Sequence, residues 1–328
     1  MSSLSNFPYG QILDYWYDKL SGNRYRTKFI ATKAIEVFTF KNHCSKNSAK
    51  FDYIEFPEAK KNNVHNSPII SLVIPAYVKN EKDLTDIYNL FASIERQTQK
   101  PNFVIVVDDC SPISYKYPDN ITFIRLNKNS GPARARNEGK EIATQFHSHI
   151  IAFADTDCIL NKNWVETITE TFQKEGDFNI LSGNTVSFDT HWFGKYHDIN
   201  GTLNGRILKQ TDRLLYGTTA NLAITEEVAK TIDFNENFPF AAGEDIEFCF
   251  RANKQGFAIK HVPTMIVQHN YGYNKKYFSS LKKFRGLFKK YGQGEKILLT
   301  EIPEYYAYFD RTNEIPTEKN GLISRGVA

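Results

Sequence analysis

The stretch Ile150-Ile151-Ala152-Phe153-Ala154-Asp155-Thr156-Asp157-Cys158 sets an apolar run directly against two carboxylates separated by one residue. A short run of β-branched and aromatic residues with a polar end is the pattern of a strand buried in a parallel sheet. In open α/β sheets ligands bind just outside the carboxyl ends of the strands, which is where Asp155 and Asp157 fall. Two carboxylates there repel unless something positive stands between them, and a divalent cation is the usual answer. The alternative is a strand-to-helix turn in which Asp155 or Asp157 caps the next helix. The triplet alone favours that alternative, so the neighbouring segments have to decide.

Upstream, the chain alternates strand and helix signals from Pro68 onward. Ile70-Ser71-Leu72-Val73-Ile74 reads as a strand ended by Pro75-Ala76-Tyr77, and Leu84, Ile87, Phe91 and Ile94 mark one face of a helix that Asn80 can cap. Phe103 to Val107 is a second buried strand ending in Asp108-Asp109-Cys110-Ser111, and Ile121 to Leu126 a third, followed by Asn129-Ser130-Gly131-Pro132. Pro132 stands where a first helical residue belongs, and that helix runs on through Ala135, Ile142 and Phe146. The opening stretch is then the fourth strand. A β-α-β-β-α-β order predicts an α/β fold: a Rossmann-like, mostly parallel sheet flanked by helices.

Downstream, Trp164, Ile168 and Phe172 predict another helix, and Asn179 to Phe188 a strand. His191 to Tyr216 shows no clear period and reads as a long loop, a feature that is usually functional in a compact domain. Gly217 to Ile224 leads into a short helix that Thr225 can cap. Ala242 to Arg251 predicts a helix that starts on acids and stops at Gly256, and Phe257–Val262 and Met265–His269 read as two short strands. Tyr277, Leu281, Phe284 and Phe288 line one face of a C-terminal helix; eight Lys/Arg against one Glu lie between Tyr271 and Lys296. Such a helix either touches an anionic membrane surface or acidic acceptor through 275–296, or packs back on the domain with a solvated basic face.

The expected organisation is a helical N-terminal accessory region over 1–67, a nucleotide-binding domain over 68–270, a basic amphipathic helical region over 271–308 and a fraying polar tail over 309–328. In the first region Ile12, Trp16 and Leu20, then Ile30, Ala34 and Phe38, recur at helical spacing, and Lys41 to Asn66 is polar and irregular. Its role is packing, oligomer contact or acceptor recognition.

Composition sets the outer limits. With 328 residues, 41% hydrophobic and 24% charged, the chain is of ordinary globular type and can bury a large core. A net charge of +4 gives no argument for nucleic acid as a partner. Cys44, Cys110, Cys158 and Cys249 lack metal-type spacing and fit reduced thiols. No run approaches the roughly 18 apolar residues of a membrane span, and the N-terminus lacks a secretory pattern, so the expectation is cytoplasmic, with at most peripheral contact at the inner face of the membrane.

Convergence of polar strand ends is what carries the functional reading. Asp109 can accept from a base N–H or ribose hydroxyl, Tyr77 can lie against a base, and Arg134 or Arg136 can reach phosphate. Asp155 and Asp157 with a divalent cation would neutralise a diphosphate. No GxGxxG follows the first strand and no GxxxxGK[ST] occurs, which argues against dinucleotide dehydrogenases and P-loop enzymes.

Taken in order across roughly residues 70 to 270, these pieces resemble family 2 glycosyltransferases with the GT-A fold. They are Val73 to Tyr77, Val106 to Ser111, Gly131 to Asn137, Asp155-Thr156-Asp157, Gly217 to Ile224, and Gly243-Glu244-Asp245 with Arg251. Cys110 replaces the glycine common after the paired aspartates. The resemblance implies an inverting, non-processive transferase, since neither a QxxRW motif nor transmembrane helices accompany it. It implies a nucleotide-sugar donor, a UDP-sugar by expectation, and a glycan, lipid-linked or peptide acceptor.

Carried over by residue, Pro75, Ala76, Tyr77, Asp109, Arg134, Arg136, Asp155 and Thr156 would bind nucleotide. Asp157, with Asp155 directly or through water, would hold Mn²⁺ or Mg²⁺. His269 is either a further metal ligand or a strand-end histidine without a metal contact. Asp245 matches the catalytic base, and Glu244 could be the base instead or bind acceptor hydroxyls. For both acids the bland alternative is charge stabilisation of a helix N-terminus, worth about 0.3–1 kcal/mol. Sugar selectivity is expected within Trp192 to Asn221. The competing readings are a sugar nucleotidyltransferase on a similar scaffold and a non-catalytic sugar-nucleotide-binding relative.

Overall fold

The computed structural model describes residues 51–318 apart from His65, Asp189, Thr190 and Lys275. The helices expected around residues 12–20 and 30–38 lie outside the described residues. Residues 51–64, expected to be irregular, contain neither helix nor strand.

Eight strands form one sheet in the order β3-β2-β1-β4-β9-β6-β10-β5, where β1 is Ile70–Ala76, β2 Phe103–Asp108, β3 Ile121–Arg125, β4 Ile150–Phe153, β5 Cys158–Leu160, β6 Ile180–Ser187, β9 Leu222–Thr225 and β10 Ile259–His269. The pairs β3–β2, β2–β1, β1–β4 and β6–β10 are parallel; β9 runs antiparallel between β4 and β6, and β5 antiparallel to β10. A second, three-stranded sheet joins β7 (Arg206–Leu208) with β8 (Leu214–Tyr216) and β11 (Thr312–Glu314).

The centre of the sheet is buried on both faces because β1, β2 and β4 are apolar at nearly every position. Ile70, Leu72, Ile74 and Ala76 of β1 point to one face, against α1 (Glu81–Glu95) and α3 (Trp164–Lys174). Val73 points to the other, with Ile105, Val107, Ile151 and Phe153, against α2 (Pro132–Gln145), α5 (Glu226–Thr231) and α6 (Glu244–Lys254). Helix α2 lies so close to β1 that a Cβ at Gly139 would run into the Val73 side chain. Asn80 caps α1 as expected, accepting from the N–H groups of Lys82 and Asp83. Pro132 opens α2. Thr225 precedes α5, but its side chain makes no cap hydrogen bond and its hydroxyl is buried without a partner.

Three expectations require correction. His191–Tyr216 is not a structureless loop: it holds α4 (Trp192–Asn200), β7 and β8. Phe193, Tyr196 and Ile199 form the buried face of α4, and the helix stops at Gly201, which adopts φ 57°. The two short strands expected over 257–269 are one strand, β10, interrupted by a register shift between Val262 and Ile266. Pro263 and the residues beside it loop out there, because proline has no N–H for a ladder. Finally, the chain beyond Tyr308 does not fray at once. Phe309 is buried at the end of α8 (Tyr306–Phe309), and Thr312–Glu314 pair with β7.

Helix α7, Tyr277–Glu301, packs back on the domain. Leu281 and Phe284 enter an aromatic cluster with Phe193, Tyr196, Tyr271 and Tyr273, while Leu298 joins Phe238, Phe250 and Tyr305. No helix among the described residues is long and apolar enough to cross a membrane.

Candidate active site

The carboxyl ends of β1, β2 and β4 meet on one edge of the sheet, together with the start of α6 and the end of β10. Tyr77, just past β1, leaves 41% of its surface exposed, so its ring is available at this edge; Ala76 beside it is buried. Pro75 pairs across β1–β2 with Val107, and Ala76 with Asp108, which sets the tips of the two strands level.

The paired aspartates after β2 divide their work. Asp108 is buried and accepts from the Ser111 N–H and the Tyr115 hydroxyl, both at 2.9 Å, and pairs with Arg125 at 3.1 Å. Asp109 accepts from the backbone N–H groups of Ser130 (2.6 Å) and Gly131 (2.8 Å). Burial raises its pKa despite those two bonds. Asp109 therefore already ties the β3–α2 loop to the tip of β2. Each of its oxygens keeps a further lone pair, so a base contact is compatible with this tie. Cys110 adopts φ 59°, a left-handed conformation in which glycine is the least strained residue. That is a physical reason for a glycine after such an aspartate pair.

Arg136, expected at the phosphates, faces two acids of the chain itself. It is 1% exposed, and its guanidinium donates to Asp155 Oδ1 at 2.8 Å and to Glu244 Oε1 at 2.7 Å. Its two terminal nitrogens each face a carboxylate, and its Nε is buried without a partner. Arg136 is instead an internal cross-link joining α2, the turn after β4 and the first turn of α6. Arg134 is half-exposed and pairs with Glu138 and, at 3.5 Å, with Glu236.

Asp157 and His269 lie side by side. His269 Nε2 lies 3.2 Å from Asp157 Oδ1, at the point where His269 pairs with Cys158 across β10–β5. The Asp157 backbone carbonyl accepts from Asn270 N–H at 2.8 Å, which fixes this turn to the chain after β10. Burial raises the Asp157 pKa, offset in part by His269 and Lys82. The ligand atoms of Asp157, Cys158 and His269 all lie within 4.8 Å of one another. The carboxylate oxygen suits Mn²⁺ or Mg²⁺, and the imidazole, a nitrogen ligand, suits Mn²⁺ better than Mg²⁺. The thiol suits neither: Cys158 is fully buried, burial pushes its pKa well up, and its Sγ lies 3.7 Å from the Ala220 carbonyl. Asp157 and His269 thus fit a hard cation, with Asp155 near enough in sequence to contribute through water.

The acids opening α6 differ sharply. Glu244 is 2% exposed; one oxygen meets Arg136 and the other has no partner. Asp245 is partly exposed, and its Oδ1 accepts from the Ile246 N–H at 2.9 Å. Burial and the neighbouring Glu244 charge raise the Asp245 pKa to about 7, with Arg136 opposing. Thr156, between the two aspartates of the turn, is also partly exposed. Sequence reasoning missed the cross-linking part of Arg136 and the closeness of α7. The Tyr291 hydroxyl on that helix is held up in pKa by burial and by the charges of Asp245 and Asp157. The alternation Ala133-Arg134-Ala135-Arg136 carried a signal for the first, since small residues mark a tightly packed helix face.

A curled, mostly parallel sheet whose acidic strand tips gather at one edge defines the GT-A class of α/β fold. Residues 71–229 match the model of glycosyl transferase family 2. Glycosyltransferase AglE of Haloferax volcanii is 24% identical over 213 residues, covering 62% of this chain and 67% of that protein. An uncharacterized glycosyltransferase, YwdF, of Bacillus subtilis is 31% identical over 125 residues, 37% of this chain. The chain spans 44% of the length of YwdF, and 37% of an uncharacterized glycosyltransferase of Haemophilus influenzae that is 29% identical. In fold, the crystal structure of S. aureus TarS is similar with a TM-score of 0.50 at 17% identity, over 73% of this chain and 44% of that one.

Proposed function

We propose that this protein is an inverting, non-processive glycosyltransferase that moves a sugar from a nucleoside-diphosphate donor, of UDP type, to a hydroxyl of a glycan, lipid-linked or peptide acceptor. The observation that carries this reading is the Arg136 bridge. It holds Asp155 and Glu244, and with Glu244 the adjacent Asp245, within the span of one guanidinium. The acids of a diphosphate-anchoring turn and the candidate base thereby share one site.

In this reading Tyr77 packs against the base and Asp109 accepts from its ring N–H. Asp245, ionised, takes the proton of an acceptor hydroxyl as that oxygen bonds to the anomeric carbon. The bond from that carbon to the diphosphate breaks in the same displacement, and the nucleoside diphosphate leaves. Attack from the opposite face inverts the anomeric centre. A divalent cation held by Asp157 and His269 supplies positive charge for the departing diphosphate. Glu244, buried and paired, positions Asp245 rather than acting as the base. Residues 68–270 carry the reaction and α7 forms one wall of the site. The exposed Phe278, 73% accessible, with Lys282 and Lys289 on the outer side of α7, suits contact with an anionic membrane surface.

A donor screen read by release of nucleoside diphosphate tests the reading, with the anomeric configuration of the product assigned by NMR. Release of UDP with a β-linked product from an α-linked donor is expected. Formation of UTP on adding pyrophosphate would instead identify a nucleotidyltransferase.

A further inference from the structure

We propose that Lys82 and Lys283 form a clamp for the diphosphate of the donor, an inference that rests on the transferase reading above. The two residues come from opposite ends of the chain, Lys82 from the first turn of α1 and Lys283 from the second turn of α7. They meet over Asn270–Gly272, the loop that directly follows His269. Lys82 Nζ forms an ion pair with Asp86 and lies 3.5 Å from the Asn270 carbonyl. Lys283 Nζ donates to the Gly272 carbonyl at 3.3 Å. A Cβ at Gly272 would collide with both the Lys283 ammonium and the Lys82 Cε, so the two tips crowd one point.

The loop beneath them is fixed. Asn270 donates its backbone N–H to Asp157 and its side-chain amide to Asp86, each at 2.8 Å. Asp86, Asp157, Phe188 and Asn270 line a cavity at this point. The ammonium pair therefore stands beside the turn that carries Asp157, at the first turn of α1. A donor diphosphate held at Asp157 would lie within reach of this pair.

Two like charges held together repel, and the pair is only partly compensated: Lys82 has a carboxylate partner, whereas Lys283 bonds a neutral carbonyl. Partial burial and the Lys82 charge draw the Lys283 pKa below the ordinary lysine range, against the pull of Asp157, Asp83 and Asp86. A bound diphosphate removes that repulsion and gains two charge-assisted hydrogen bonds. Lysine binds phosphate as a point charge, so the clamp needs no bidentate geometry.

The test is calorimetric titration of the full chain, in metal-free buffer, with UDP, uridine and inorganic pyrophosphate. The proteins are wild type, Lys82→Gln, Lys283→Gln and the double variant, with Lys283→Arg as the charge-conserving control. Each glutamine is expected to weaken UDP binding by about tenfold with uridine affinity unchanged, and Lys283→Gln, which removes no ion pair, is expected to leave the thermal midpoint unchanged. Lys283→Arg should retain most of the affinity, and the double variant should lose pyrophosphate. UDP affinity unaltered in both single variants overturns the clamp and leaves the donor reading standing, as does a wild type that binds UDP no better than uridine. Lysine-dependent pyrophosphate binding without any nucleotide binding keeps the clamp as an anion site and removes the donor reading. Binding of neither removes both.

Discussion

At the scale of single residues, Asp245 and Glu244 show how burial separates two adjacent acids. Glu244 is buried against Arg136, whereas burial and the adjacent Glu244 raise the Asp245 pKa to about 7. A base of that pKa is half-ionised near neutrality, so turnover should rise as pH increases through about 7 and level off above it. Replacing Asp245 by Asn is expected to abolish transfer while UDP affinity stays within about twofold, measured by product release and by titration. Near-normal turnover in that variant would remove Asp245 from its role. The same shift has a sign for stability. The folded state holds a proton on Asp245 that the unfolded chain has lost above about pH 4, so unfolding free energy falls as pH rises from about 4 to about 7. The Asn variant loses this slope, and comparing urea midpoints at pH 5 and pH 8 in the two proteins shows it.

At the scale of elements, Arg136 ties three pieces of backbone that do not otherwise touch through side-chain charge. Arg136→Met leaves Glu244 buried without its partner, and such a loss typically costs about 3–5 kcal/mol. The thermal midpoint should fall accordingly, and Arg136→Met paired with Glu244→Gln should recover much of it; equal midpoints in the two proteins would show that the charge pair is not what holds α6. Leu298→Ala, by contrast, tests packing of α7, and truncation of a fully buried leucine costs about 2–5 kcal/mol. These elements also show what was legible beforehand. Strands β1 to β4 and helices α1 to α3 stand out because a sheet covered on both sides needs unbroken apolar runs, and its covering helices need one apolar face. Helix α4 was hidden because it is short, carries Gly194 and His197, and buries aromatic residues that suit a loop equally well. Its burial depends on Tyr271, Tyr273 and Phe284, residues far away in sequence. Pro263 split β10 in the reading because a proline inside a strand signals a break, and only the paired neighbour β6 carries the strand across it. The acids at strand tips were visible because topology alone brings strand ends together. Arg136 was placed on the right helix, but its pairing with Asp155 and Glu244 was not legible, since helical period fixes a face and not the charge that will meet it.

At the scale of the whole molecule, the sheet and α7 bring charges of both signs to one edge. Asp155, Asp157, Glu244 and Asp245 supply four carboxylates there, met by Arg136 from within and by Lys82 and Lys283 at the rim. Arg136 is already balanced by two of the acids, so a bound diphosphate adds negative charge to an edge whose remaining positive groups are few. A divalent cation held by Asp157 and His269, as proposed above, would offset that imbalance, and its ligands would have to be free of protons to accept it. Prolonged chelation is therefore expected to reduce transfer by more than about a hundredfold, with Mn²⁺ or Mg²⁺ restoring it. Asp157→Asn should keep the thermal midpoint and lose metal-restored activity, whereas His269→Gln should raise the metal concentration needed for half-maximal rate by about 10–100-fold. If turnover in excess EDTA equals that with metal, the carboxylates at this edge must be balanced by the lysines alone, and the cation site falls while the base, Asp245, does not.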